Sequence, residues 1–282
     1  MTIDTITSLD DPRVADFRNV PDPVLLRDRG LFVAEGRLIV RHVLDARRFR
    51  VRSLLLSPAG AEGLRDVLAA HAATGTGLEA VAGVFVAPAE LLSAIVGFDV
   101  HRGCLALCER PAPVPVDAVM AGAAAANLLL VAERVGNADN MGGLFRNAMA
   151  FGAGAVLLSP GCCDPFYRKA VRVSSGGTLR VPFATFADWP SGLSALAREG
   201  WALVGLTPDA AAASLEEWAS RADRPARTAL VVGHEGSGLS EAALAMMGAR
   251  VRIAMAGGVD SLNVATAAAI AMYVCSNRGP RA

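Results

Sequence analysis

The stretch LVVGHEGSGL, residues 230–239, is the part of this sequence that says most about the fold of its C-terminal half. The apolar residues that begin it are typical of a strand buried on both faces, and the glycines after them are typical of a tight loop. Glycines allow the backbone to approach a ligand closely, and Glu235 can accept hydrogen bonds from a ligand amine or hydroxyl. A catalytic role for His234 is the less favoured interpretation because no serine or cysteine partner is evident at a suitable spacing.

Similar apolar runs recur on both sides of this stretch and alternate with segments of helical periodicity. The predicted strands are residues 127–132, 155–159, 201–206, 228–233 and 251–254. The predicted helices between them include residues 141–151, 193–199, 240–247 and 261–273. This alternation predicts an α/β domain with a parallel, doubly wound sheet, whose ligand site lies beyond the carboxyl ends of the strands.

A second polar cluster, ERVGNADNMGGLFR at residues 133–146, directly follows the first of these predicted strands. A strand that runs into this Asn- and Gly-rich turn and then into a helix places Asn137 and Asn140 near the helix N-terminus. Arg146 then lies about a turn and a half further along the helix. Alternatively, Asn140 is only an N-cap and Arg146 a solvated helix residue.

A third cluster, RIAMAGGVDSLNV at residues 252–264, leads into an alanine-rich helix. Its glycine loop, followed by Ser261 and Asn263 at the helix entrance, supplies hydroxyl, amide and backbone donors in one small volume. A capped, buried helix without any binding role is the alternative interpretation.

The N-terminal part predicts a separate domain. Residues 109–126, ERPAPVPVDAVMAGAAAA, have the proline spacing and small residues of an extended linker. Residues 1–108 contain apolar runs separated by helix-like segments, which predicts a small α/β unit of about 100 residues. The runs are residues 31–34, 53–57, 80–86 and 104–108, and the helix-like segments include residues 36–46 and 61–72. Residues 127–282 form the second predicted domain.

Composition limits the class of protein. The chain has 282 residues, of which 53% are hydrophobic and 19% charged, as expected of a folded globular protein. Its 27 basic and 27 acidic residues give a net charge of zero. This excludes a protein that binds nucleic acid through a uniformly basic surface, but it does not exclude a local basic patch. The absence of a long apolar run and of a signal peptide pattern predicts a cytoplasmic protein without a membrane partner. The five scattered cysteines lack CxxC pairs, so we expect no metal site.

Basic residues concentrate in two places. Between residues 37 and 52, six arginines face one acidic residue, Asp45, which suits contacts with RNA phosphates. These six are Arg37, Arg41, Arg47, Arg48, Arg50 and Arg52. A solvated helix face and turn is the alternative. The second group is Arg168, Lys169 and Arg172, which follows the first polar cluster, and we expect Arg168 and Arg172 to be further RNA contacts.

In their order and spacing, the three polar clusters resemble the three signature motifs of the SpoU/TrmH family of RNA ribose 2'-O-methyltransferases, within the SPOUT superfamily. NADNMGGLFRNAMAFG is similar to the first motif, VVGHEGSGLS to the second and IAMAGGVDSLNVATAAAIAMY to the third. The resemblance spans residues 127–273. The N-terminal part is similar to the family's ribosomal-protein-like RNA-binding extension through FVAEGR at residues 32–37 and HRGC at residues 101–104.

The resemblance implies a C-terminal trefoil knot whose loops hold S-adenosylmethionine, and a homodimer formed through the C-terminal domain with each active site near the subunit interface. The residues that match the family's cofactor contacts are Leu206, Thr207, Gly233, Ile253, Met255 and Leu262. The implied catalytic residues are Asn140, Arg146, Glu235, Ser261 and Asn263. No metal is required.

The implied reaction is attack of a ribose 2'-hydroxyl on the methyl group of the cofactor. The family assigns activation of this hydroxyl to the arginine that matches Arg146, but a guanidinium stays protonated, so we expect Arg146 to grip the phosphate and orient the hydroxyl. The dedicated first domain favours ribosomal RNA over transfer RNA.

Two departures from the family pattern are Ala265, where a small hydroxyl residue often stands, and the lack of the usual glutamate after Tyr273. Two alternatives stay open. A non-catalytic RNA-binding factor of ribosome assembly could keep this fold, although retention of the five implied catalytic residues argues against it. A Rossmann-type enzyme is disfavoured because no GxGxxG opens a helix after an early strand.

Overall fold

A computed structural model describes residues 3–18, 20–46, 48–74, 83–98, 100, 103–257 and 259–276. Packing divides the chain into two compact units. The N-terminal unit consists of Met1–Ala112 together with Phe166–Leu179, and the C-terminal unit consists of Pro113–Pro165 and Arg180–Ala282. Phe166–Leu179, which the sequence interpretation places in the second domain, therefore packs with the first.

The N-terminal unit is built on a mixed sheet. Its strands are β1 (Ile3–Thr5), β2 (Leu31–Glu35), β3 (Val51–Leu56), β4 (Gly83–Val86) and β5 (Cys104–Glu109). They lie in the order β1-β4-β3-β5-β2, and β5 runs antiparallel to both of its neighbours. The helices are α1 (Asp22–Asp28), α2 (Arg37–Ala46), α3 (Pro58–Glu62), α4 (Arg65–Thr74), α5 (Ala89–Val96) and α8 (Arg168–Val173). The four strands predicted in this part are all present.

The segment that joins the N-terminal unit from later in the chain is held by a buried charge pair. Glu35, at the end of β2, is only 1% exposed, and its carboxylate lies 2.7 Å from the Arg168 guanidinium. Phe166 packs against Phe32, with ring centroids 4.8 Å apart. A buried carboxylate is costly unless it is paired. The local sequence around Arg168 contains no sign of this distant partner, which is why the domain prediction missed the segment.

The C-terminal unit is built on a parallel sheet, as the alternation of apolar runs predicts. Its described strands are β6 (Leu128–Ala132), β7 (Val156–Leu158), β8 (Phe183–Thr185), β9 (Ala202–Leu206), β10 (Ala213–Ser214), β11 (Thr228–Val232) and β12 (Ala249–Arg252). They lie in the order β10-β12-β9-β11-β6-β7-β8, and every neighbouring pair is parallel. The helices are α6 (Val116–Gly122), α7 (Ala138–Ala150), α9 (Gly192–Arg198), α10 (Leu215–Ser220), α11 (Glu241–Leu244) and α12 (Val264–Ser276).

The segment predicted as an extended linker, residues 109–126, is irregular at residues 110–115, which are followed by a helix that the prediction missed. β5 extends to Glu109, and α6 follows the prolines. Val119 and Met120 of α6 are buried in the core of the C-terminal unit beside Leu129 and Val131 of β6. Alanine and methionine favour helix, and burying this apolar face adds to that preference.

No helix in the described part of the chain combines the length and the apolar character needed to cross a membrane. Within the same residues, no group of three or more His, Cys, Asp or Glu side chains is placed to hold a metal ion.

Candidate active site

The three polar clusters meet at one edge of the parallel sheet. Because neighbouring parallel strands end at the same edge, the segments that follow β9, β11 and β12 lie side by side there. Together with Asn140 of α7 and the start of α12, they line a cavity of about 320 Å³. All six predicted cofactor contacts line it: Leu206, Thr207, Gly233, Ile253, Met255 and Leu262. So do four of the five predicted catalytic residues: Asn140, Glu235, Ser261 and Asn263.

Glu235 connects the second cluster to the first. Its Oε1 accepts hydrogen bonds from the Asn137 backbone N–H at 3.0 Å and the Asn140 side-chain amide at 2.9 Å. Its Oε2 accepts one from the Gly136 backbone N–H at 3.3 Å. Partial burial by itself would raise the pKa of Glu235, but the bonds from Asn140 and from the backbone outweigh it, so the pKa lies below its usual value. Glu235 is therefore a partly exposed carboxylate whose two oxygens already accept hydrogen bonds from the first cluster, whereas the sequence interpretation assigns its acceptor capacity to a ligand.

Asn140 connects the first cluster to the third. Its Oδ1 accepts a hydrogen bond of 2.7 Å from the Asn263 side-chain amide. Asn263 Oδ1 in turn accepts from the backbone N–H groups of Ala265 and Thr266 at the start of α12. The N-cap of α7 is Asn137, not Asn140. Asn140 thus has both ends of its amide occupied by the other two clusters, and the interpretation of it as a plain helix cap is wrong.

Gly233 is required by the fold of its own loop. The backbone of His234 pairs with that of Gly238 through two hydrogen bonds, of 3.0 and 2.9 Å, which bend the loop back on itself. A Cβ atom on Gly233 would collide with the backbone of Gly238 and Leu239. Gly233 is therefore needed because the backbone of Gly238 and Leu239 lies so close to it. The sequence interpretation instead explains the glycines of this loop by the close approach of a ligand.

Glu133 is a buried supporting residue that the sequence interpretation did not single out, and it does not itself line the cavity. It follows β6, is 2% exposed, and lies behind the loop of the second cluster. Its carboxylate accepts hydrogen bonds from the Trp189 Nε1 at 2.6 Å, the Ser240 hydroxyl at 2.7 Å and the Ser240 backbone N–H at 2.8 Å. Ser240 is also the N-cap of α11. The sequence does contain a signal for these contacts, because Glu133 is a carboxylate that directly follows a fully buried strand and therefore needs hydrogen-bond donors around it.

Arg146 is the predicted catalytic residue that the structure leaves out of the cavity. It is six residues after Asn140 on α7, which carries it about 9 Å along the axis and about 240° around it. The side chain is exposed and makes no hydrogen bond or ion pair with any other residue that the structure describes. Within one chain, Arg146 therefore does not meet Glu235 and Asn263.

The arginine-rich stretch of the N-terminal unit is partly neutralised by acidic residues from elsewhere. Arg41 forms a two-pronged pair with Asp66, at 2.7 and 2.8 Å, and this hydrogen bonding lowers the pKa of Asp66 to about 2. Arg50 and Arg52 lie 3.5 and 3.4 Å from Glu109. The local charge counted along the sequence therefore overstates the charge in space.

The other members of this stretch have different surroundings. Arg37 and Arg48 are exposed, and Arg48 donates a hydrogen bond of 3.4 Å to the Leu179 carbonyl. Arg47 lies outside the described residues. Arg168 and Arg172, predicted to bind RNA, both pair with Glu35, at 2.7 and 3.5 Å. Arg168 also stacks on Phe98, 3.5 Å from the ring centroid, so it is a structural residue of the N-terminal unit.

Comparison with known proteins places this site in a family. The model of the SpoU rRNA Methylase family matches residues 127–273, the span of the three clusters. A Mycobacterium bovis protein described as an uncharacterized tRNA/rRNA methyltransferase is 40% identical over 283 residues, covering 99% of this chain and 93% of that protein. The 23S rRNA (guanosine-2'-O-)-methyltransferase RlmB of Ralstonia nicotianae is 32% identical over 195 residues, covering 68% of this chain and 76% of that protein.

The fold agrees with this relationship. The crystal structure of an AdoMet-bound rRNA methyltransferase from Sinorhizobium meliloti superposes with a TM-score of 0.78 at 23% identity, covering 97% of each chain. The family model spans more than half of the chain, and the three clusters that match it surround one cavity. The chain therefore belongs to the SpoU rRNA methylase family of RNA methyltransferases.

Proposed function

We propose that this protein transfers the methyl group of S-adenosylmethionine to a ribose 2'-hydroxyl of RNA, and that the RNA is ribosomal. The observation that carries the proposal is the chain of hydrogen bonds from Glu235 through Asn140 to Asn263, which joins all three clusters at one cavity. The cavity, at about 320 Å³, lies within the range of small-molecule sites.

The residues around the cavity fit S-adenosylmethionine. Leu206, Ile253 and Leu262 supply apolar walls of the kind that an adenine ring prefers. Among the described residues that line the cavity, none is an arginine or lysine, and Glu235 is a carboxylate. A cavity without fixed positive charge favours a ligand that carries a sulfonium.

When bound, S-adenosylmethionine supplies an electrophilic methyl group. In the transfer, the 2'-oxygen would gain the methyl group, the electron pair of the broken carbon–sulfur bond would stay on sulfur, and the hydroxyl proton would pass to solvent water. The protein's part is positioning, which can supply about 7–11 kcal/mol of such a barrier. Asn140 and Asn263 hold the loops around the reacting atoms in register, and the Ser261 hydroxyl at the cavity can orient the ribose.

Arg146 supports a homodimer as the active form. The side chain is exposed and lies outside the cavity of its own chain, and in our proposal it contacts RNA bound at the cavity of a second copy. The helix next to it offers an apolar contact surface: Tyr273 of α12 is 55% exposed, and its ring packs against Phe151, close to the end of α7. We therefore propose that α7 and α12 form the interface between the two copies.

The proposed knot is supported by the order of the strands. β12 lies between β9 and β10, yet α12, which follows it, packs against β6, β11 and α7 on the other side of β9. α12 also packs against α10, so the chain between residues 252 and 264 returns over the central strands. Passage of this segment through a loop of the preceding chain would complete the knot that we propose, a rare exception to the usual topology of protein chains.

Two observations favour ribosomal RNA, and with it a cytoplasmic location. The RlmB relative is named for 23S rRNA, and the N-terminal unit presents exposed arginines such as Arg37 and Arg48. The proposal is tested by calorimetry of S-adenosylmethionine binding followed by methylation of total ribosomal RNA. We expect binding and incorporation of methyl groups into RNA. A folded protein that binds RNA but does not bind millimolar cofactor would identify a non-catalytic assembly factor.

A further inference from the structure

We infer that His234 is a positioning residue, whose neutral imidazole holds the loop that carries Glu235 in its working shape. The inference rests on the proposed function only where it concerns the effect of His234 on methyl transfer. Its structural part concerns hydrogen bonds within the loop and is testable without any ligand.

The imidazole accepts two backbone hydrogen bonds through one nitrogen. Nδ1 of His234 lies 3.0 Å from the Gly236 backbone nitrogen and 3.2 Å from the Ser237 backbone nitrogen. Both of these groups are donors, so Nδ1 carries no proton and the neutral ring carries its proton on Nε2. A general base needs a free acceptor nitrogen, and this ring has none. The structure therefore assigns His234 a role different from catalysis.

The same device occurs in the other two clusters. Asn137 Oδ1 accepts from the backbone N–H groups two and three residues ahead, at 2.7 and 3.3 Å, and Asn263 Oδ1 does so at 3.0 and 3.2 Å. Each of the three loops at the cavity is thus closed by one side chain that accepts from positions i+2 and i+3. Two of these side chains are amides, which do not titrate. The third is a histidine, which ordinarily changes charge between pH 5 and 8.

Protonation reverses the function of this side chain. A protonated Nδ1 is a donor facing two donors, so both loop hydrogen bonds are lost. Glu235 is the one carboxylate within 4.0 Å of the ring among the described residues, with its Oε2 3.9 Å from Nε2. The new charge would compete with Gly136 and Asn137 for this carboxylate. The loop is therefore held while Nδ1 carries no proton and is released when that nitrogen is protonated.

The structural part is tested by NMR measurement of amide exchange at Gly236 and Ser237, in the wild type, His234→Asn and His234→Ala. We expect the protection factors of both amides in the wild type to be lower at pH 5.5 than at pH 8. They should stay constant in His234→Asn, which can accept from the same two positions, and be low at both pH values in His234→Ala. Equal protection in all three proteins, or pH-independent protection in the wild type, would overturn the inference.

The catalytic part is tested by the pH profile of methyl transfer to ribosomal RNA. We expect His234→Asn to retain activity at pH 5.5 better than the wild type relative to pH 8, and His234→Ala to be weak at both. An identical profile in the wild type and His234→Asn would contradict a positioning role. If no variant transfers methyl groups at any pH, the proposed function fails, and the amide exchange still decides the role of His234.

Discussion

Asn263 and Asn140 are 123 positions apart in the sequence, yet the Nδ2 of Asn263 lies 2.7 Å from the Oδ1 of Asn140. The other end of the Asn140 amide donates to Glu235 at 2.9 Å. One amide therefore holds together three loops that follow different strands. Any ligand in the cavity beside them depends on this contact for the shape of its site.

We expect Asn140→Ala to reduce methyl transfer at least 100-fold, because both Glu235 and Asn263 lose a partner. Leaving such polar groups unpaired costs about 1–3 kcal/mol of stability, less where water reaches them. The matched control is Asn147→Ala on the same helix, which removes one hydrogen bond of 2.8 Å to the Ala265 carbonyl but does not touch the cavity. A comparable loss of activity in both variants would show that the effect is only one of stability.

Arg146→Ala should abolish methyl transfer and leave the affinity for S-adenosylmethionine nearly unchanged, because Arg146 does not line the cavity. Arg146→Lys keeps the charge but loses the planar fork that can hold two oxygens at once, so it should also be defective. Calorimetry and a methylation assay separate the two properties. Near-normal turnover in either variant would remove Arg146 from the mechanism.

The homodimer is tested by mixing two inactive proteins. If Arg146 acts at the second copy's cavity, co-expressed Arg146→Ala and Asn263→Ala chains form mixed dimers with one intact site. We expect such mixtures to recover up to about half of the wild-type activity per mixed dimer. Light scattering that reports a monomer at micromolar concentration, or mixtures that stay inactive, would contradict the proposed arrangement.

Glu133→Gln should lower the stability of the C-terminal unit by about 1–3 kcal/mol, because a buried acceptor of three hydrogen bonds becomes partly a donor. Thermal unfolding measures this. Glu241→Gln is the control, since Glu241 is a nearby exposed glutamate in α11. Equal midpoints for the two variants would show that the Glu133 contacts do not stabilise the fold.

Arg168→Ala and Arg172→Ala should differ although both residues pair with Glu35. The Arg168 side chain is 25% exposed and lies 2.7 Å from the carboxylate, whereas that of Arg172 is 41% exposed and lies 3.5 Å away. We expect Arg168→Ala to cost about 2–3 kcal/mol, because it leaves a buried charge poorly paired, and Arg172→Ala less than about 1 kcal/mol. Chemical denaturation measures both. Equal losses would mean that Glu35 does not depend on Arg168.

Replacing Arg48, Arg50 and Arg52 with alanine should weaken RNA binding and flatten its salt dependence. Each lost phosphate contact lowers the log–log slope by roughly 0.7–0.9. Arg41→Ala should change the slope less, because Asp66 already occupies its guanidinium. Unchanged binding in the triple variant across a salt series would place the RNA contacts elsewhere, and cofactor affinity should be constant in all of these proteins.

The parallel sheet follows from local sequence, because each central strand is a short apolar run and each loop after it is rich in glycine and polar side chains. The cofactor contacts that line the cavity, such as Leu206 and Ile253, follow only from the resemblance to the family. Three described strands escaped prediction: β1 and β8 have three residues each and β10 has two, and each lies at an edge of its sheet. Such short edge strands contain no periodic pattern. Their pairing depends on neighbours that are distant in the sequence.

The contacts that organise the site could not be deduced in the same way. Composition marks Glu235 and Asn140 as candidate ligand groups, but only the folded chain pairs them with each other. Likewise, the sequence around Arg50 and Arg52 indicates a positively charged surface without a nearby acidic residue. In the folded chain, β5 places Glu109 beside both arginines. Pairing of charges across strands depends on register, which a single sequence does not specify.

The central claim is that the cavity formed by the three clusters supports methyl transfer to a ribose. It is tested most directly by incubating the protein with ribosomal RNA and methyl-labelled S-adenosylmethionine, digesting the RNA to nucleosides and identifying the labelled product by mass spectrometry. The account predicts a 2'-O-methylnucleoside with the wild type and its loss with Asn140→Ala, whereas Asn147→Ala retains it. Label on a nucleobase, or no label with a folded, RNA-binding protein, would contradict the account.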